Sequence, residues 1–171
     1  MSAFHLIKRF FGSLSGKALG SDDETFARAN LLPSEVGLWQ RMSTPDQRHA
    51  CAVARRVLNA LGEEATRPVI AAALLHDIGK VDADIGTFLR VIATFVGTGS
   101  SRQQIDSWAT EDGWLGRAGR YLRHNEIGAD MLREAGSDPI TVAWAREHEL
   151  KHTEWTLPEK ISDALWRADS A

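Results

Sequence analysis

The chain has 171 residues, of which 43% are hydrophobic, and a formal net charge of −3 at pH 7. This length and composition predict one domain with a hydrophobic core. The small negative charge gives no reason to expect binding to nucleic acid or to anionic membranes that is driven by bulk charge. The single cysteine, Cys51, excludes an intramolecular disulfide framework. Such a low cysteine content is typical of proteins from a reducing compartment. No apolar run is long enough for a membrane span, and we therefore expect a cytoplasmic protein.

We divide the chain into a variable segment at residues 1–32 and a main domain at residues 33–171. Four apolar residues of the first segment recur at helical spacing, which predicts an amphipathic helix: Phe4, Ile7, Phe11 and Leu14. Lys8 and Arg9 lie inside this stretch, which is not typical of a signal peptide. Its basic residues are too few to hold it on an anionic membrane surface. We expect the helix to pack on the domain or on a second subunit, which leaves a homodimer open.

The five prolines stand where helices can begin. Thr44-Pro45-Asp46-Gln47 resembles a capping box, with Thr44 as the N-cap, and Gly62 and Gly136 fit helix ends. Residues 83–96 are expected to be helical, and residues 97–101 form a flexible loop. The pattern predicts an all-α fold, a single compact domain with about six to eight helices.

Polar side chains lie on the apolar faces of these predicted helices. His49 is followed by Val53 and Val57 at intervals of four residues, which places it on a buried face. The same reasoning directs five other residues inward: His76, Asp77, His124, His148 and Asp169. One such residue alone is usually a hydrogen-bonded part of the core. Imidazoles and carboxylates from five helices instead indicate a metal site, because a metal compensates buried charge and joins ligands that are remote in sequence.

Residues 73–80, ALLHDIGK, are central to this hypothesis. Adjacent helical residues point about 100° apart, so a metal beside the helix can accept both His76 and Asp77. Asp77 has two oxygens and could bridge two metals. Lys80 follows about one turn later. A cation beside a metal indicates an anionic substrate, and phosphate is the obvious candidate.

The order H…HD…D across helices resembles the HD-domain superfamily of metal-dependent phosphohydrolases. DQRHACAVARRVL resembles the first-histidine helix of that superfamily, ALLHDIGK its name-giving motif and LPEKISDALWRADS its terminal aspartate helix. YLRHNEIGADMLREAG and VAWAREHE resemble the two further histidine segments of its binuclear branch. The resemblance covers residues 45–169 and implies an HD-type helical domain.

The resemblance also implies a set of ligands and a reaction. The first of two divalent ions would be held by His49, His76, Asp77 and Asp169, and the second by Asp77, His124 and His148. Iron, manganese, cobalt, nickel and zinc all suit such imidazole and carboxylate ligands. Family activity implies a metal-bound hydroxide that attacks phosphorus, with Asp77 and Lys80 as catalytic residues.

Two departures from the family pattern bear on this reading. The GYP signature is absent, which disfavours cyclic dinucleotides as substrates. Glu147-His148-Glu149 stands where binuclear relatives often have paired histidines, so the last ligand of the second ion is left open.

Lys80, Arg117 and Arg120 are the candidate substrate-binding residues. The two arginines precede His124 by seven and four residues, which places them on its face if one helix carries all three. A guanidinium group matches phosphate oxygens, although an ordinary solvated arginine face explains the pattern equally well. We expect a small phosphate ester, such as a nucleotide, as the substrate, and no nucleic acid.

Two other functions stay open. One is an HD-type domain that has lost catalysis and serves as a regulatory or binding module. The other is a zinc metalloprotease, because residues 148–152 match H-E-x-x-H, in which two histidines one helical turn apart bind zinc. We rank the protease lower, because the chain shows no strand to bind a peptide and the match leaves His49, His76 and His124 unexplained.

Overall fold

The computed structural model describes residues 18–83, 93, 96–97 and 99–171. The described residues contain nine α-helices and no β-strand, so the predicted all-α fold is confirmed. The helices are α1 Ser21–Asn30, α2 Pro33–Trp39, α3 Thr44–Leu61, α4 Arg67–Leu75, α5 Arg102–Ala109, α6 Gly113–Leu122, α7 His124–Glu134, α8 Pro139–Glu147 and α9 Glu159–Ser170. Short 3-10 helices occupy Gly62–Glu64, Ile78–Asp82 and His152–Glu154.

Two expectations fall wholly or mostly outside these residues. The predicted amphipathic helix with Phe4 and Leu14 lies there, and so does most of the helix expected over residues 83–96. The number of helices exceeds the expected six to eight, because the polar segment before His124 forms both α5 and α6. No helix in the described part of the chain is long and apolar enough to cross a membrane.

Proline and glycine mark most helix boundaries as predicted. Pro33 and Pro139 are the first residues of α2 and α8, and Pro68 is the second residue of α4. Gly62 and Gly136 follow α3 and α7 with φ of +55° and +73°. This left-handed backbone is one that glycine adopts without a steric penalty.

The predicted N-cap of α3 is wrong. Thr44 is the first residue of the helix, and the hydroxyl of Ser43 accepts the hydrogen bond from the Asp46 N–H at 3.3 Å. Gln47 does not reach back to the cap. It is buried, and its amide donates to the carbonyl of Trp39 at 3.0 Å, which ties α3 to the end of α2.

Helix α4 forms the centre of the core. Every residue from Val69 to Leu75 is buried, and α3 and α8 pack against this helix. Helix α9 packs on α3, while α7 packs on α8 and on the 3-10 helix Ile78–Asp82. Helix α1 contacts α3 and α4, and its residue Ala27 has no exposed surface. The residues that follow Leu75 therefore enter an interior that is enclosed by α3, α7, α8 and α9.

Candidate metal centre

The histidine–aspartate pair lies where the central helix ends. His76 is the C-cap of α4, and Asp77 precedes the 3-10 helix that follows. Both side chains are 1% exposed. The last carbonyl groups of an α-helix have no backbone partner within the helix, so this helix end offers hydrogen-bond acceptors to a buried imidazole.

Three histidines make the same hydrogen bond to a carbonyl three residues earlier. The Nδ1 atoms of His76, His124 and His148 lie 3.0, 2.7 and 3.0 Å from the carbonyl oxygens of Ala73, Tyr121 and Ala145, respectively. Because a carbonyl oxygen can only accept, each Nδ1 carries the hydrogen and each Nε2 is left to bind another group. Histidines that bind metals usually donate their second ring N–H in this way.

The two carboxylate oxygens of Asp77 face different histidines. Oδ1 lies 3.6 Å from Nε2 of His124 and 3.6 Å from Nε2 of His148. Oδ2 lies 3.5 Å from Nε2 of His76 and also contacts the ammonium group of Lys80. This is the placement that a carboxylate needs in order to bridge two metal ions.

Helices α3 and α9 add a second pair on the side of His76. Nε2 of His49 lies 2.7 Å from Oδ1 of Asp169, and that oxygen is 3.5 Å from Nε2 of His76. Arg56 on α3 donates to the carbonyl of Ala168 at 3.0 Å, which holds the last turn of α9 against α3. Asp169 is thereby kept beside the two histidines.

The structure brings all six candidate ligands together in one cluster: His49, His76, Asp77, His124, His148 and Asp169. Donor atoms of His49, His76 and Asp77 lie within 4.8 Å of one another, and so do donor atoms of Asp77, His124 and His148. Two ligands of one tetrahedral ion lie roughly 3.4 Å apart. The separations of 3.5 and 3.6 Å between Asp77 and the histidines are close to this value.

The cluster also contains unsatisfied nitrogen atoms. Nε2 of His76 and Nε2 of His124 are buried and have no hydrogen-bond partner in the described ranges. Leaving a buried polar atom without a partner costs about 1–3 kcal/mol. A divalent metal ion would supply the missing partner, so the residues present fit metal ions on both sides of Asp77.

Electrostatic interactions keep the central carboxylate ionised. Burial raises the pKa of Asp77, but Lys80 and His76 outweigh burial and hold this pKa well below its ordinary value. Burial lowers the pKa of His76, but the carboxylates of Asp77 and Asp169 outweigh it and raise this pKa. Asp77 is therefore in the form that binds a metal at neutral pH.

Lys80 lies beside the cluster, where the sequence predicted it. Its side chain is buried, and its ammonium group pairs with Oδ2 of Asp77. Its direct contact is thus with a candidate ligand. Its predicted roles in catalysis and substrate binding stay predictions.

Two glutamates flank His148 and make different contacts. Glu147 is buried, and its carboxylate accepts hydrogen bonds from the N–H of Thr156 at 2.7 Å and from the hydroxyl of Thr156 at 2.6 Å. The side chain of Glu149 is 36% exposed, and its Oε1 lies 3.8 Å from Nε2 of His124. Partial burial raises the pKa of Glu149, but the imidazoles of His124 and His148 outweigh this effect and lower it. Glu149 therefore lies at the edge of the cluster, beside His124, although the sequence motifs did not assign it.

His148 and His152 do not share a helix. Helix α8 ends at Glu147, and His152 begins a separate 3-10 helix. The ring of His152 stacks on Trp155 at 4.0 Å between centroids and meets Trp166 edge-on at 4.6 Å. The continuous helix on which an H-E-x-x-H zinc site depends is therefore not formed here.

The two candidate arginines lie on α6, which is separate from the helix of His124. The backbone between these helices breaks at Arg123, so the single helix that would align the arginines with His124 is not formed. Arg120 pairs with Asp82 at 3.7 Å, and Nε of Arg117 is buried without a hydrogen-bond partner among the residues described. Within the described part of the chain, neither guanidinium group contacts the six-residue cluster. The substrate-binding role of the two arginines stays a prediction.

Comparison with known families agrees with this geometry. The family model named HD domain matches residues 48–168, which is more than half of the chain and spans five of the six clustered residues. No curated protein and no solved structure shows significant similarity to the chain. Members of the matched family are mostly metal-dependent hydrolases. The chain belongs to the HD-domain family.

Proposed function

We propose that this protein is a metal-dependent phosphohydrolase that acts as a phosphomonoesterase or phosphodiesterase on a nucleotide or another phosphate ester. One observation carries the proposal. Three buried imidazoles, each fixed through Nδ1 by a helical carbonyl, direct Nε2 at the two oxygens of one ionised carboxylate, Asp77. Two of these Nε2 atoms have no hydrogen-bond partner in the part of the chain that the structure describes.

The six ligands divide into two sets around Asp77. Four residues would hold one ion: His49, His76, Asp77 and Asp169. Asp77, His124 and His148 would hold the other. The distances support this division, because Oδ2 of Asp77 is near His76 and Oδ1 is near the other two histidines.

When bound, divalent ions would supply a water-derived nucleophile at neutral pH and would polarise the phosphoryl group. The chain itself supplies orientation and charge. Asp77 stays ionised, and its pairing with Lys80 fixes the direction of its carboxylate. The buried ammonium group of Lys80 adds positive charge beside the cluster, which favours the negative charge that develops on a phosphate ester during hydrolysis.

Metal content and hydrolysis, measured together, test this proposal. Protein stripped with a chelator is loaded with Mn²⁺, Fe²⁺, Co²⁺, Ni²⁺ or Zn²⁺. It is then assayed on nucleoside phosphates, a nitrophenyl monoester and a nitrophenyl diester. Asp77→Asn, which keeps the size of the side chain, should lose bound metal and all turnover. Wild-type protein that binds metal but hydrolyses none of these esters would contradict the enzymatic proposal and favour a regulatory or binding module.

A further inference from the structure

The two sets of ligands around Asp77 are unequal in number. The first contains four residues from the chain, including the carboxylates of Asp77 and Asp169. The second contains three, of which Asp77 is the one carboxylate. An ion on the second side would therefore have one protein ligand fewer than an ion on the first.

Glu149 lies next to the smaller set. It follows His148 directly, beyond the end of α8, and its Oε1 is 3.8 Å from Nε2 of His124. The Nε2 of His124 is one of the two buried histidine nitrogens without a hydrogen-bond partner in the described ranges. The separation is only slightly longer than the 3.6 Å between that nitrogen and Oδ1 of Asp77.

The contacts of Glu147 differ from those of Glu149, and the difference shows which of the two carboxylates can bind a metal ion. Both carboxylate oxygens of Glu147 accept hydrogen bonds from Thr156, and Trp155 donates its indole N–H to the Glu147 carbonyl at 3.0 Å. These bonds fold the segment after α8 back onto the end of that helix. Glu147 is thus used to hold the backbone, while Glu149 projects toward the histidines and keeps its side chain 36% exposed.

We propose that Glu149 is the fourth protein ligand of the second metal ion. This inference rests on the proposed function, because it requires that an ion bind beside His124 and His148. With Glu149 included, each ion is held by two imidazoles and two carboxylates, and Asp77 is common to both sets. Glu149 also removes one unit of positive charge from the centre, relative to a neutral ligand at the same place.

The chemistry of this ligand predicts a preference among metals. Carboxylate oxygens suit manganese and other hard ions, whereas imidazole suits zinc, copper, iron and nickel. Replacing Glu149 with histidine should therefore keep a fourth ligand but shift the preference of the second ion from Mn²⁺ toward Zn²⁺.

Calorimetric titration of metal-free protein with Mn²⁺ and with Zn²⁺ tests the assignment without any measurement of turnover. Glu149→Gln should weaken the second Mn²⁺-binding event by at least tenfold and leave the first unchanged. Glu149→His should restore two binding events with Zn²⁺. Glu154→Gln is the matched control, because Glu154 is exposed five residues further on and an amide oxygen can still accept from the Lys151 N–H. This control should bind both ions as the wild type does.

The outcomes separate this assignment from the proposed function. A Glu149→Gln variant that binds two Mn²⁺ ions with wild-type affinity would overturn the assignment and leave the hydrolase proposal intact. A wild type that binds two ions, loses the second in Glu149→Gln and hydrolyses no ester would support the assignment and overturn the hydrolase proposal. A wild type that never binds a second ion would overturn the assignment.

Discussion

A β-carbon on Gly79 would lie 1.9 Å from the carbonyl oxygen of His124. The backbone of the 3-10 helix after Asp77 therefore touches the first turn of α7. Gly128, one turn further along α7, also lies close to this backbone, because a β-carbon there would be 3.0 Å from the nitrogen of Gly79. This backbone contact lies beside Asp77 and His124, whose Oδ1 and Nε2 atoms are 3.6 Å apart.

Replacing Gly79 with alanine should separate these two backbones. Because the clash is with a main-chain carbonyl, no side chain can move aside to relieve it. We expect a loss of unfolding free energy of about 1–3 kcal/mol and weaker metal binding beside His124. Urea denaturation and metal titration measure the two effects.

Gly37→Ala is the matched control for this substitution. Gly37 lies inside α2, is exposed, and has no atom within 4 Å of the position that a β-carbon would take. Alanine should therefore raise the unfolding free energy by roughly 0.5–1 kcal/mol and leave metal binding unchanged. Equal stability changes in the two variants would contradict the close backbone contact at Gly79.

Loss of one histidine from the Oδ1 side of Asp77 should remove one ion only. Under the two-metal arrangement, His124→Ala and His148→Ala should each lower the metal content from about two ions per chain to about one. His152→Ala should leave it unchanged, because His152 contacts Trp155 and Trp166 instead. Elemental analysis of the purified variants gives the counts. A drop in metal content with His152→Ala would revive the metalloprotease alternative.

Removal of Lys80 should lower the free energy of unfolding more in the metal-free protein than in the metal-bound protein. In the absence of metal, Lys80→Met leaves the buried carboxylate of Asp77 without its ammonium partner, which costs on the order of 3 kcal/mol. Bound ions replace that positive charge, so the loss should shrink when Mn²⁺ is present. Urea denaturation with and without Mn²⁺ measures the difference, and equal losses in both states would contradict it. The metal-bound variant should keep its ions and lose turnover.

Cys51 should be unreactive in the folded protein. It is fully buried, its thiol lies 3.6 Å from the carbonyl of Asp23, and burial raises its pKa to about 12. Iodoacetamide attacks the thiolate, so alkylation at pH 8.5 should be slow in buffer and fast in urea. Similar alkylation rates in buffer and in urea would show that the structure around Cys51 opens readily.

The same shift has a consequence for stability at high pH. A pKa that is higher in the folded state means that the folded protein retains the proton more strongly. The contribution of the protonated Cys51 thiol to the free energy of unfolding is therefore complete below about pH 9. It is lost as the pH rises toward about 12. Cys51→Ala should lack this part of the decline, and unfolding free energies of the two proteins, measured in parallel at pH 8 and pH 10.5, test the difference.

The sequence was sufficient to predict the fold class and the convergence of six residues. Hydrophobic periodicity placed His49, His124 and His148 on buried faces, and burial of several helices around α4 brings such faces together. Helix ends were harder to predict. α8 ends at Glu147, whose carbonyl and carboxylate accept hydrogen bonds from Trp155 and Thr156, and these contacts have no periodic signal. The position of Glu149 depends on that helix end, so no motif could assign it.

The segment before His124 is a second region whose structure the sequence patterns did not predict. No residue of α5 is buried, and only three of its eight residues are apolar, so its apolar face is too short to identify the helix by periodicity. A local signal was available in Ser101 and Gln104, whose side chains form a capping box. The break at Arg123 has no comparable signal, and it is this break that separates the arginines from His124.

One carboxylate faces both groups of histidines, so two ions bound on its two sides would depend thermodynamically on each other. Under the two-metal arrangement, an ion on the His76 side of Asp77 would withdraw electron density from the carboxylate and restrict its rotation, and the other oxygen of that carboxylate faces His124 and His148. Any resulting change in affinity must be reciprocal, because the free energy of binding both ions is the same in either order. Occupancy at one position would then be set partly by the ion at the other, with Asp77 as the coupling element between them.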